Sequence, residues 1–210
     1  MTQEAHDPGG KVRIKLPPDV TGSAMFSACR RYRPLLIRQW GGTPGFALWV
    51  GMNPSTAAAD VDDPTVKLEW TFTRNRLGLG AYVKTNVMDY RATNPKALLA
   101  EGIKPQSEDN VPTILAYARK ADRVILAFGA LPDIFRGYAG EIVSILRAEK
   151  IPLFCVGLTK DGSPRHPLRF LRRDGLLMPF PAGNYGSHAW RKIEPAKCDP
   201  SFLEQTQSSL

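Results

Sequence analysis

Leu48-Trp49-Val50-Gly51-Met52-Asn53-Pro54-Ser55-Thr56 decides how the chain is to be read. An apolar run stops at a glycine and is followed by small, polar and ring-locked residues, the pattern of a buried strand entering a turn. Gly51 leaves the turn without a side chain, and Pro54 fixes one φ angle. Asn53 is thereby held at the carboxyl end of a strand, the edge at which open α/β sheets bind ligands.

Three further runs have the same form: 82–88, 123–128 and 152–157. Helical patterns separate them. Asp63-Pro64 is a cap followed by proline at the first helical position, after which Val66, Trp70, Thr73 and Leu77 share one face. Asn94-Pro95 repeats the device for a short helix, and another helix follows Ser107. Over 132–150, Ile134, Phe135, Tyr138, Ile142, Ile145 and Leu146 form a stripe. Strands alternating with helices predict a three-layer α/β/α fold around a mainly parallel, four-stranded central sheet. Upstream, Leu35-Leu36-Ile37 faces Phe46 to Val50 across the glycine-rich Gly41 to Gly45, which predicts an N-terminal antiparallel hairpin. Residues 1–20 read as a flexible arm in which Lys11 to Leu16 alternates like a short edge strand. Residues 21–197 read as a single α/β domain, and 198–210 as a disordered tail.

Hydrophobic residues make up 43% of the 210 and charged residues 23%, as in soluble globular proteins. The net charge of +8 favours polyanionic partners, nucleic acid first, although an ordinary basic surface has the same count. Three cysteines without C-x-x-C spacing give neither a zinc site nor a disulfide framework. The N-terminus has no apolar leader and no run is long enough to span a membrane, so the cytoplasm is the expected compartment.

The predicted loops gather Asn53, Asn86 with Asp89, the Phe128-Gly129 turn and His166 at one sheet edge. Each has a structural alternative. Asn53 is also a common turn opener, Asn86 is equally suited to tying down the next loop, and a loop histidine is most often a surface residue. As functional groups, the Asn86 amide has donors and an acceptor for the edge of a nucleobase, and the His166 ring has an N–H for a developing anion. Asp60, Asp62 and Asp63 lack the histidine or cysteine partners of a transition-metal site, so no metal and no cofactor are expected. Ser55 lacks the flanking glycines of a nucleophile elbow, and there is no phosphate-binding G-x-x-x-x-G-K-[ST] loop.

The segments Gly51 to Ala57, Asp62 to Thr65, Asn86 to Leu98 and Gly157 to Leu168 together resemble the bacterial and phage family catalogued as domain of unknown function 1643, over about Arg30 to Phe180. More remotely, their order resembles the uracil-DNA glycosylase superfamily. That resemblance implies Asn53 and His166 as catalytic residues, the first positioning a water and the second stabilising the departing base. It implies that Asn86 reads the base, with Gly51, Pro54, Ser55, Asp89, Phe128, Gly129 and Lys160 around the substrate. The expected function is N-glycosidic hydrolysis of a base in DNA or a nucleotide. The alternatives are a binding module without catalysis, or a small-metabolite hydrolase using Asp62, Asp63 or Asp89. The oligomeric state is left open.

Overall fold

The strand runs end in polar or glycine-rich loops because each strand buries both faces and must surface at its end. In the computed structural model, residues 12–170, 176–183 and 185 are described. In chain order the strands are β1 (Ile14–Lys15), β2 (Thr21–Met25), β3 (Leu35–Gln39), β4 (Phe46–Gly51), β5 (Val61–Asp62), β6 (Ala81–Asn86), β7 (Arg123–Leu126), β8 (Leu153–Cys155) and β9 (Met178–Pro179). The helices are α1 (Pro64–Arg76), α2 (Asn110–Ala118), α3 (Asp133–Ala148) and α4 (Pro167–Phe170), with a 3-10 turn at Pro95–Leu99.

One seven-stranded sheet has the order β2-β3-β6-β4-β7-β8-β9. Neighbours β6, β4, β7 and β8 pair parallel, while β2 and β3 on one flank and β9 on the other run antiparallel. Alternation along β4 sends Leu48 and Val50 into a core shared with α2 and α3, and Ala47 and Trp49 into a second core under α1. The class is mixed α/β, with helices on both faces. No helix among the described residues is long and apolar enough to cross a membrane.

The expected hairpin between the 35–37 and 46–50 runs does not form. β6 lies between β3 and β4, pairing antiparallel with the first and parallel with the second. The glycine-rich link passes over the start of β6 instead of turning tightly. Trp40 N–H donates to the Gly80 carbonyl at 3.2 Å, and its indole N–H donates to that of Leu79 at 2.9 Å. A Cβ on Gly80 would stand 1.8 Å from the Thr43 carbonyl oxygen, so only glycine admits the crossing. The antiparallel hairpin of the N-terminal region is β2–β3, in register from Thr21↔Gln39 to Met25↔Leu35.

The predicted caps form. The Asp63 carboxylate accepts from Val66 N–H at 2.9 Å, and Asn94 accepts from Lys96 N–H at 3.0 Å. The α3 stripe is rotated from expectation: Ile134 is 67% exposed, and Ala139 and Val143 join Phe135, Ile142 and Leu146 inside. The short strand expected in the arm exists, but as β1 paired with β5 in a separate two-stranded sheet. Residues 1–11 of the arm and the predicted 198–210 tail lie outside the described residues, while Val20 at the end of the arm is buried in the core under α1.

Between the sheet and α1 lies a set of buried charges. The Lys84 ammonium donates to both Glu69 carboxylate oxygens, at 2.6 and 2.8 Å, and the Tyr82 hydroxyl donates to the same group at 2.6 Å. Burial pushes the Glu69 carboxyl upward against the pull of Lys84, and pushes the Tyr82 phenol well above its ordinary value. Nearby, Arg38 Nε donates to Asp62 at 2.9 Å, and Trp70 Nε1 donates to the other oxygen of that carboxylate at 2.7 Å. Arg38 also donates to the Ala58 and Val61 carbonyls, so β3 holds the loop that follows β4.

Removing one partner of a buried pair strands the other charge, so Glu69→Gln is expected to cost about 3–5 kcal/mol in urea unfolding. Replacing both partners, as Glu69→Leu with Lys84→Met, is expected to recover most of that loss. Equal losses in the single and double variants would refute the pairing. Gly80→Ala is expected to destabilise by about 1–3 kcal/mol or more, since the crossing backbone must shift. An unchanged denaturation midpoint would exclude the close approach at Thr43.

Candidate functional site

The carboxyl ends of the parallel strands meet at Gly51. Gly51 is the register partner of Asn86, and Ala127 N–H donates to the Val50 carbonyl at 2.8 Å, which brings the β7 exit alongside. Gly51 has an ordinary negative-side backbone, so its need for glycine is spatial. A Cβ there would stand 2.6 Å from Lys84 Nζ and 2.8 Å from Asn86 Oδ1. Asn86 therefore lies on the α1 side of the sheet, with Lys84 and Tyr82 preceding it at alternate positions.

Asn86 is 1% exposed, and neither its Oδ1 nor its Nδ2 has a hydrogen-bond partner. The backbone around it is fixed firmly. Asn110 Nδ2 donates to the carbonyls of Asn86 and Val87 at 3.0 Å each, and Gln106 Nε2 donates to that of Val87 at 2.8 Å. The structural alternative for Asn86, a side chain tying down the next loop, is thus filled by Asn110 and Gln106. A buried amide with neither end satisfied costs about 1–3 kcal/mol.

Asn53 is half-buried, and its Nδ2 donates to the Pro54 carbonyl at 3.1 Å and the Ala92 carbonyl at 2.7 Å. Ala92 N–H returns a bond to the Pro54 carbonyl at 2.9 Å, closing the turn onto the segment that follows β6. Pro54 is buried and Ser55 half-buried.

His166 is half-buried beside Gly129, whose Cβ position lies 3.4 Å from His166 Cβ. Gly129 has φ +75°, a left-handed conformation that suits glycine. His166 Nδ1 accepts from Leu168 N–H at 3.4 Å. The helix that starts at the next residue, α4, contacts α1, the helix on the Asn86 side of the sheet. The loop before His166 is held by Asp161, which accepts from Thr159, from Ser163 Oγ at 3.1 Å and from Arg136 at 2.7 Å. Burial alone would raise the Asp161 carboxyl, but those bonds hold it below its ordinary value.

Three further predicted contact residues are placed differently. Phe128 is 2% exposed and packs against Tyr185, ring centroids 5.4 Å apart, in the core of the opposite face. That correction follows from strand parity, since Ala127, not Phe128, faces α1. Asp89 is fully buried, and its oxygens accept from Ser107 N–H at 2.7 Å and Ser107 Oγ at 2.5 Å. It anchors the approach to α2, and burial raises its carboxyl. Lys160 is exposed in a turn.

Sequence reasoning passed over the charges behind the edge. Lys84 lies in an apolar strand run, and Arg33, 1% exposed, donates to the Ala57 carbonyl while burial lowers its guanidinium to about 10. The signal available was a lysine or arginine at an inward register position of a buried strand. Among the described residues no three histidine, cysteine or carboxylate side chains are grouped to hold a metal. A groove of about 260 Å³ is lined by Ile14, Pro64, Lys67, Leu68, Thr71 and Leu168, none of which is a predicted site residue.

Neither the curated proteins nor the solved structures contain a match to this chain. A family comparison does match, over residues 31–168, which take in every element from β3 to the start of α4 and all three of Asn53, Asn86 and His166. The chain belongs to the family described as Protein of unknown function (DUF1643).

Proposed function

We propose that the protein handles nucleobases at the Gly51–Asn86 edge, and that its reaction is hydrolysis of an N-glycosidic bond in DNA or a nucleotide. The observation that carries the reading is the buried Asn86 amide with both ends unpartnered. A carboxamide offers an acceptor beside two donors, the complement of the lactam edge of bases such as uracil or hypoxanthine. Gly51, the register partner of Asn86, carries no side chain, and a Cβ there would stand 2.8 Å from Asn86 Oδ1. Because the amide is sealed, the edge must open for a base to enter, and that base must leave its stack.

The remaining roles come from the resemblance to the uracil-DNA glycosylase superfamily and its three-layer fold. The bond between C1′ and the base nitrogen breaks, the base departs with the bonding electrons, a water oxygen bonds to C1′, and the proton that this water releases passes through solvent to the base nitrogen. His166 Nε2–H donates to that developing anion. Asn53 has its amide N–H groups on the Pro54 and Ala92 carbonyls, and its oxygen holds the water. Asparagine takes no proton, so the rate rests on stabilising the departing base.

The second reading is a module that binds a base or nucleotide and leaves it intact. It is favoured by Asp89, the carboxylate that follows Asn86 in sequence, being engaged by Ser107.

Single-stranded oligonucleotides bearing uracil, hypoxanthine or thymine, and duplexes with mismatched thymine, are expected to yield abasic sites that Asn86→Leu and His166→Ala abolish. Binding without abasic product leaves the second reading, and neither binding nor cleavage overturns both. Asn86→Leu removes an unsatisfied amide, so its Tm is expected to match or exceed that of the parent. A fall of several degrees would make Asn86 a structural residue and end the proposal.

A further inference from the structure

The loop joining β2 to β3 lies at the same sheet edge as Asn86. β3 runs antiparallel to β6 with Leu36 opposite Lys84, so the residues before β3 stand beyond Asn86. Tyr32 bridges to Tyr90, Arg33 N–H donates to the Asp89 carbonyl at 2.9 Å, and Arg91 N–H donates to the Arg31 carbonyl at 2.8 Å. The segment zipped to this loop begins three residues past Asn86, at most about 11 Å along even an extended chain.

The loop is unusually one-sided in charge. No acidic residue occurs between Asp19 and Asp60, whereas Arg30, Arg31, Arg33 and Arg38 all do. Arg38 and Arg33 are consumed internally, by Asp62 and the Ala57 carbonyl. Arg30 and Arg31 are exposed, and neither pairs with a carboxylate among the described residues. The Phe26 ring lies under Arg30 at 4.7 Å and under Arg91 at 5.0 Å, so an aromatic face orders the guanidinium groups before any ligand arrives. Arg91 in turn donates to the Arg30 carbonyl at 3.0 Å, and Arg30 is held at φ +56°, a conformation uncommon for a residue with a side chain.

We propose that this loop is a phosphate clamp for single-stranded nucleic acid, with Arg30 and Arg31 gripping backbone phosphates beside the nucleotide whose base reaches Asn86. The clamp deepens the nucleobase reading and rests on it. A strand out of its duplex fits both halves, because the base must be unstacked to meet a buried amide and its neighbouring phosphates then pass over the basic loop. Of the clamp arginines, Phe26 supports Arg30, with Arg91 on the same ring.

The test is fluorescence anisotropy of a short labelled single-stranded oligonucleotide with one central uracil, titrated across a salt series. A matching oligonucleotide with an abasic site and uridine 5′-monophosphate serve as further probes. Charge neutralisation by Arg30→Gln with Arg31→Gln is expected to weaken oligonucleotide binding and flatten the slope of log affinity against log salt by about 1.4, two phosphates at about 0.7 each. Arg30→Lys with Arg31→Lys is expected to keep the slope, and melting curves check that both variants fold. The monophosphate is expected to lose less than the oligonucleotide, and an equal loss would replace the strand clamp by a single-phosphate site. An unchanged slope and affinity in the glutamine variant would overturn the clamp, as would equal losses in the lysine and glutamine variants. The two proposals fail separately. Asn86→Leu erasing the preference for uracil over the abasic site, with an unchanged slope in the glutamine variant, leaves the nucleobase reading without the clamp. An arginine-dependent slope with no response to Asn86→Leu leaves the clamp and removes the nucleobase reading.

Discussion

The Lys84–Glu69 ion pair joins the helix on one face of the sheet to the strand on which both halves of that sheet meet. β6 is parallel to β4 and antiparallel to β3, so whatever fixes β6 fixes the relation between the doubly covered parallel strands and the N-terminal hairpin. Glu69 receives Lys84 and Tyr82 from the same strand face, which sets both the rotation of α1 and the register of the residues leading to Asn86. Desolvating those groups is expensive, and the expense is offset only while every donor has its acceptor. This constraint explains why the segment ahead of the edge is so polar on an otherwise apolar sheet.

Much of this architecture was legible in the residues. Asp63 with Pro64 and Asn94 with Pro95 marked their helix starts because capping is a local transaction between a side chain and the next turn. The strand end at Gly51 was visible because a buried strand must stop being apolar where it surfaces, whereas the runs read as 82–88 and 123–128 end as strands two residues earlier, at Asn86 and Leu126. The 35–51 hairpin was misread because pairing is decided by partners distant in sequence, and only Gly80 hinted that a chain crosses over β6. Phe128 was misplaced for a simpler reason: a one-residue parity sends a side chain to the other face. The buried Arg33, Arg38 and Lys84 were illegible as a group, since each finds its partner through the fold.

The edge itself combines rigidity and incompleteness. Asn110 and Gln106 satisfy the carbonyls on either side of the Asn86–Val87 peptide, Asp89 anchors the approach to α2, and Asp161 braces the loop leading to His166. Against that background Asn86 is a side chain with both polar atoms unmatched, and the Thr85 hydroxyl and Asn110 Oδ1 beside it are unmatched too, while the backbone between them is held still. Stability given up at side chains on a braced frame is the pattern expected where a ligand completes the set.

The crossing at Gly80 has a consequence for the order in which the chain assembles. β3 and β4 emerge from synthesis joined by a short link, about 10 Å apart in the finished sheet with the gap between them still vacant. The nascent chain can close that gap early by zipping the two apolar runs directly onto each other. The strand made some thirty residues later must then part them before the sheet is complete. Hydrogen exchange during refolding would register this as late protection of β3 relative to β4 and β7, a slow step written into the topology itself.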